Sequence, residues 1–139
     1  MRPRVVLVKP PERSEFNFGT YSLGVLAAAV RDRAEVSILD ATDLVADEAA
    51  ARVLGDQPQL VGITTMGTAS VRPVADFLRR LRAEASARCS EVTVVCGGHG
   101  ATCLPAPLLA AGADAVVIGE GEVTFRRVVE HGKIGRAHV

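Results

Sequence analysis

The sequence predicts a three-layer α/β fold: a doubly wound, parallel, five-stranded sheet with helices on both faces. Three observations carry that prediction. Short apolar runs rich in β-branched residues recur at Arg4–Val8, Glu35–Asp40, Leu60–Thr65, Val92–Cys96 and Ala113–Ile118. Most of them are nearly continuous rather than alternating, as expected of parallel strands covered on both sides. Segments with apolar residues at helical spacing separate them, which is the mark of βαβ crossovers. The last two runs stop at glycine turns, Gly97-Gly98 and Gly119-Glu120-Gly121. In open α/β sheets the carboxyl ends of the strands are where ligands bind.

The first strand, Arg4–Val8, is ended by Lys9-Pro10-Pro11, because proline cannot donate to a ladder. A polar loop from Glu12 to Gly19 carries Phe16 and Phe18. Leu23, Leu26, Ala27 and Val30 then mark a helix, with Thr20 or Ser22 as its expected cap. Glu35–Asp40 alternates and reads as a more exposed strand. A weaker helix over Leu44–Leu54 ends at Gly55 and Pro58. After the central strand Leu60–Thr65, Ser70 is expected to cap a helix with Pro73 in its first turn. Its apolar face is Val71, Val74, Leu78, Leu81 and Ala85; Arg72, Arg79, Arg80 and Arg82 are expected on the outer face. One short helix should follow Gly98, and a last one should start near Glu122. Five strands and five helices in this alternation fit a flavodoxin-like (Rossmann-like) sheet of order 2-1-3-4-5.

Composition narrows the function. Lys+Arg and Asp+Glu are 16 each, so net charge gives no support for nucleic-acid binding. Aromatic content is 4% with no Trp, which disfavours base-stacking platforms. No apolar run approaches the roughly 20 residues of a bilayer span. The chain starts directly on a strand without a signal-peptide pattern. Three cysteines, an odd number, make no disulfide framework, so the expected location is the cytoplasm.

The candidate site residues gather at the strand ends. Thr64 and Met66 share a face of an extended segment and are followed by Gly67. Thr64 would hydrogen-bond a buried ligand nitrogen while Met66 lines an apolar channel; the same residues also suit an ordinary strand end. Gly97 and Gly98, with Thr102 after them, leave room for close backbone approach or form a plain tight turn. Glu120 and Glu122 stand at the start of the last helix, where the helix dipole favours carboxylates for structural reasons alone.

These segments resemble the cobalamin-binding domain at the N-terminus of B12-dependent radical SAM proteins. The matching stretches are VVLVKPP, YSLGVLAAAVRDRAEVSILDA, PQLVGITTM, VTVVCGGHGAT and AGADAVVIGEGEVTF, nearly everything from Arg4 to Val129. The resemblance implies a corrin ring on the carboxyl edge of the sheet and a nucleotide tail threading into the domain. It implies that Thr64 and Met66 take the family's Ser-x-Leu positions beside the tail, and that Gly97 and Gly98 give the tail room with Thr102 nearby. Gly119, Glu120 and Gly121 match the closing turn near the corrin.

Two departures qualify the match. The loop Lys9–Gly24 contains no histidine, so the Asp-x-His-x-x-Gly motif that ligates cobalt in methionine-synthase-like domains is missing. That favours the radical SAM branch and implies base-off cobalamin. The usual GGPHAT reads Gly97-Gly98-His99-Gly100-Ala101-Thr102, with the histidine moved one place. His99 would reach the cofactor tail or its phosphate, or is simply a partly exposed loop residue. No metal ligand is assigned. Cys89, Cys96 and Cys103 do not form the Cys-x3-Cys-x2-Cys motif that holds a 4Fe-4S cluster. S-adenosylmethionine and that cluster are therefore expected only in a C-terminal domain missing from this chain, acting in cis. The resemblance implies a cofactor module, not catalytic alone, of a methyltransferase-like parent; the alternative is a corrinoid carrier or sensor. A receiver-type signalling domain ranks last, because Thr64-Thr65-Met66 stands where an acceptor Asp would be.

Lys133–Val139 fits no amphipathic pattern and back-translates to a common sequencing-adapter sequence. The expected organisation is a cobalamin-binding domain over 1–132, cut from a longer protein near Glu130, and a non-native tail over 133–139.

Overall fold

The structure, a computed structural model, describes residues 2–12 and 19–131 together with the backbone of 137–138. The elements run β1 (Arg4–Lys9), α1 (Tyr21–Val30), β2 (Glu35–Asp40), α2 (Ala46–Gly55), β3 (Leu60–Thr64), α3 (Val71–Ala87), β4 (Thr93–Gly97), α4 (His99–Cys103), α5 (Pro105–Ala111), β5 (Ala115–Val116), α6 (Glu122–His131) and β6 (Ala137–His138). The sheet order is β2-β1-β3-β4-β5-β6, and every pairing is parallel. The first five strands have the expected 2-1-3-4-5 order. The two residues of β6 fall in the segment set aside as a tail; they add to the free edge of β5, where unpaired backbone groups accept another strand. The loop phenylalanines Phe16 and Phe18 lie outside the described residues.

Side chains alternate across the sheet and divide the core in two. Val6, Val8, Val61, Ile63, Val94 and Cys96 pack under α2, α3 and α5, with Phe77, Leu78, Leu81 and Leu108 opposite them. Val5, Leu7, Leu60 and Val95 pack under α1 and α6, against Leu23, Val30, Phe125 and Val128. Arg126 of α6 makes a two-pronged ion pair with Asp32 after α1, tying these helices together. The Arg126 hydrogen bonds hold the Asp32 carboxyl down at about 2. No helix among the described residues is long and apolar enough to cross a membrane.

Three local expectations are corrected. Between β4 and β5 stand two helices rather than one, because Pro105 disfavours helical backbone at Leu104 and starts a new helix. Thr20 and Ser70 precede α1 and α3, but neither side chain caps its helix. The Ser70 hydroxyl instead donates to Glu12 Oε1 at 2.7 Å. Arg82 does not lie on the outer face of α3. It turns toward the start of β5, where it pairs with Asp114 and donates to the carbonyls of Gly112 and Val92.

Candidate functional site

A cavity of about 150 Å³ opens at the carboxyl ends of β3, β4 and β5, on the α1–α6 face. Its sheet wall is Gly62 and Thr64 of β3, Val95 and Gly97 of β4, and Val117 after β5; Gly98, Gly119 and Gly121 border it from the turns. The helical wall is Ser22, Leu23 and Leu26 of α1 with Glu122 and Phe125 of α6. Thr64, Gly97, Gly98, Gly119 and Gly121 are thus brought to one place. Met66, Gly67, His99, Thr102 and Glu120 do not line the cavity. Met66 fails to follow Thr64 because β3 ends at Thr64 and the alternation of an extended strand stops there.

The glycines differ in what they do. A Cβ on Gly97 would meet nothing nearer than Val117 Cβ at 4.0 Å, so its missing side chain is open space. Gly98 has φ 98 and ψ 175, a region open essentially to glycine alone. A Cβ there would stand 2.4 Å from the Thr65 carbonyl oxygen. That carbonyl accepts from Gly100 N at 3.0 Å, and Thr65 N donates to Gly97 O at 2.8 Å. Gly98 therefore holds the β3 and β4 ends together, whereas Gly97 leaves room. Thr65 is fully buried, and among the described residues its hydroxyl has no partner.

Thr102 positions the rim without entering it. Its hydroxyl donates to Gly98 O at 3.1 Å and accepts from Gly119 N at 3.0 Å, so one side chain fixes both glycine turns. His99 is exposed, with Nε2 3.7 Å from Cys103 Sγ one helical turn on. Among the described residues no group of three or more His, Cys, Asp or Glu is placed to hold a metal ion. Of the exposed large apolar residues among those described, Tyr21, Ile118 and Val123 are chain neighbours of the lining residues Ser22, Val117 and Glu122.

Sequence reasoning missed Gly62, Leu23, Leu26, Val95, Val117 and Phe125 as cavity walls. Helical and strand periodicity marked most of them as buried, but not as facing a void. Gly62, a glycine inside a β-branched run, was the one available signal. Cys96, in contrast, is inert: burial pushes its thiol up to about 12. At about pH 8, near the ordinary thiol pKa, a thiol-specific reagent should label exposed Cys89 and Cys103 in the folded chain, and Cys96 only after denaturant. Equal labelling of all three would show that the sheet opens readily at β4.

A family model described as B12 binding domain matches residues 13–129. The chain belongs to the B12-binding domain family. It is 32% identical over 149 residues to uncharacterized methyltransferase PH0819 of Pyrococcus horikoshii, covering 96% of this chain and 30% of that protein. Among solved structures it matches the radical S-adenosylmethionine methyltransferase TsrM of Kitasatospora setae, determined with cobalamin and a 4Fe-4S cluster bound. That match has TM-score 0.74 and 27% identity, over 96% of this chain and 26% of TsrM. A cobalamin-binding protein of Desulfitobacterium hafniense DCB-2 shares the fold, with TM-score 0.71, 18% identity and coverage of 96% and 60%. The chain spans less than a third of PH0819 and of TsrM. It is a cobalamin-binding module related to those of B12-dependent radical SAM enzymes.

Proposed function

We propose that this chain is the cofactor module of a B12-dependent radical SAM methyltransferase, holding base-off cobalamin on the carboxyl edge of the sheet. The observation that carries the reading is the slot beside Gly97: a narrow, mostly apolar cavity whose mouth lies between three strand ends, with open space where a side chain would stand. The slot is too small for a whole corrinoid and suits one arm of it. Bound cobalamin supplies methyl-transfer chemistry, and the protein supplies binding and orientation.

In this reading the chain's own residues divide the work. Gly97, Gly119 and Gly121 keep the mouth free of side chains, Gly98 holds the β3 and β4 ends together, and the Thr64 hydroxyl offers a hydrogen bond to the inserted arm. Thr102 fixes the two turns between which the arm passes. His99, Glu120, Met66 and Gly67 stand on the rim, outside the slot. The base-off state is supported by the lack of any histidine from Lys9 to Gly24. S-adenosylmethionine and a 4Fe-4S cluster belong to a further domain in cis, consistent with the share of TsrM that this chain covers. Residues 1–132 form the module and 133–139 are a non-native tail.

Incubating the chain with hydroxocobalamin and passing it through gel filtration tests this. A corrinoid should co-elute with protein and show a base-off visible spectrum. Elution of all corrinoid as free cofactor would overturn the proposal; a base-on spectrum would overturn the base-off part alone.

A further inference from the structure

We infer that the slot selects the lower base of the corrinoid, accepting a benzimidazole-type ring and disfavouring a purine. This rests on the corrinoid-binding reading above and adds a discrimination that the reading does not contain.

The polarity of the slot falls with depth. Each polar side chain in the lining is close to the carboxyl edge on its own element. Ser22 is the second residue of α1, Thr64 the last of β3, and Glu122 the first of α6. Two residues further in, about 7 Å along a strand, the lining is Gly62 on β3 and Val95 on β4. One helical turn further in, it is Leu26 on α1 and Phe125 on α6. The Phe125 ring closes the inner end by lying over Gly62. A Cβ on Gly62 would meet Leu7 Cδ2 at 2.7 Å, then Phe125 Cε1 at 3.4 Å and Cζ at 3.5 Å. Backbone groups at that depth are committed to the β3–β4 ladder, in which Gly62 pairs with Val95. Among the described residues the inner end therefore offers a ring no side-chain hydrogen-bonding group, while the mouth offers three.

Natural corrinoids carry different lower bases. A benzimidazole presents C–H or methyl groups on the ring edge remote from its ribose. A purine presents ring nitrogens and an exocyclic amine or carbonyl there. Burying that edge against Leu26, Val95 and Phe125 strips it of water without replacement, which costs free energy. An apolar pocket discriminates against an isostere that only adds a polar group by about 100-fold.

The test measures the affinity of the full 139-residue chain for cobalamin, for an adenine-bearing corrinoid and for cobinamide, which has no lower base, by equilibrium dialysis. Cobalamin should bind about tenfold tighter or more than either of the others. Leu26→Gln, at a half-buried position, brings an amide to the inner end and should narrow the cobalamin-to-adenine ratio. The ligand series on the unsubstituted chain decides the matter even if that variant does not fold. Equal affinity for cobalamin and the adenine corrinoid, with cobinamide weaker, would overturn the selectivity. Equal affinity for cobalamin and cobinamide would overturn insertion of the base while leaving corrinoid binding intact. Failure of all three to bind would overturn the proposed function itself.

Discussion

Gly97→Val should weaken cobalamin binding by about 10- to 100-fold while the domain stays folded, and Gly98→Val, one residue on, should strongly destabilise the fold. At Gly97 the added side chain enters open space on the cavity side, with Val117 Cβ 4.0 Å away as its nearest neighbour. The backbone is a β-strand end paired with Thr64, and valine suits a strand. The fold therefore loses little, and the expected penalty falls on whatever must occupy the slot; filling a well-fitted space costs about 1–3 kcal/mol, which is that fold-change in affinity. At Gly98 the balance reverses. The φ of 98 strains any L-residue, a cost of about 1–3 kcal/mol, and the Cβ collides with the carbonyl of Thr65, a residue whose backbone is held by one hydrogen bond through its O and one through its N. Together these reach about 3 kcal/mol or more, a large share of a typical domain's stability. Thermal unfolding measured beside cobalamin titration separates the two variants. A stable Gly97→Val chain with unchanged affinity would remove the slot from the binding site. A fully stable Gly98→Val chain would show that the β3 and β4 ends are not gripped as described.

The contrast between these neighbours marks how far the sequence alone could reach. Both glycines were legible as a break in a β-branched run, and so was the edge of the sheet on which they fall. Which of them makes room and which makes a turn depends on Thr65, 33 positions earlier in numbering but in contact across the β3–β4 pairing. The strands and their order were legible for the same reason that periodicity works: buried parallel strands need unbroken apolar runs. Side-chain roles that depend on distant partners were not. Ser70 is a residue type that caps helices, yet its hydroxyl is taken by Glu12, 58 residues away in sequence. Met66 was placed beside Thr64 by carrying strand alternation one turn too far. Leu26 and Phe125 read as core because helical spacing reports burial, and it does not report whether the buried face meets another side chain or a cavity.

Arg82→Ala, away from the slot, should lower the free energy of unfolding by about 2–4 kcal/mol. Helical spacing puts Arg82 with the solvated arginines of α3, but Gly112 has no side chain to block it. With φ 123 at the end of α5, Gly112 would place a Cβ 2.8 Å from Arg82 Cγ. The arginine stem crosses that gap, and the guanidinium donates through Nε to Gly112 O at 2.7 Å and through Nη1 to Val92 O at 2.9 Å. Its Nη2 pairs with Asp114 Oδ2, which also accepts from Val94 N at 2.8 Å. One side chain thus joins α3, the start of β4 and the turn into β5. The pair is about a quarter exposed, 27% and 23% at the two side chains, so water screens it less than the surface pairs of α3. Removing the arginine leaves two carbonyls and a carboxylate short of partners in a half-buried place. Arg82→Lys should recover little, since an ammonium cannot reach three acceptors in the planar fork that the guanidinium uses. Urea unfolding of the two variants measures this. A midpoint for Arg82→Ala within error of the unsubstituted chain would return Arg82 to the solvated face where its spacing first placed it.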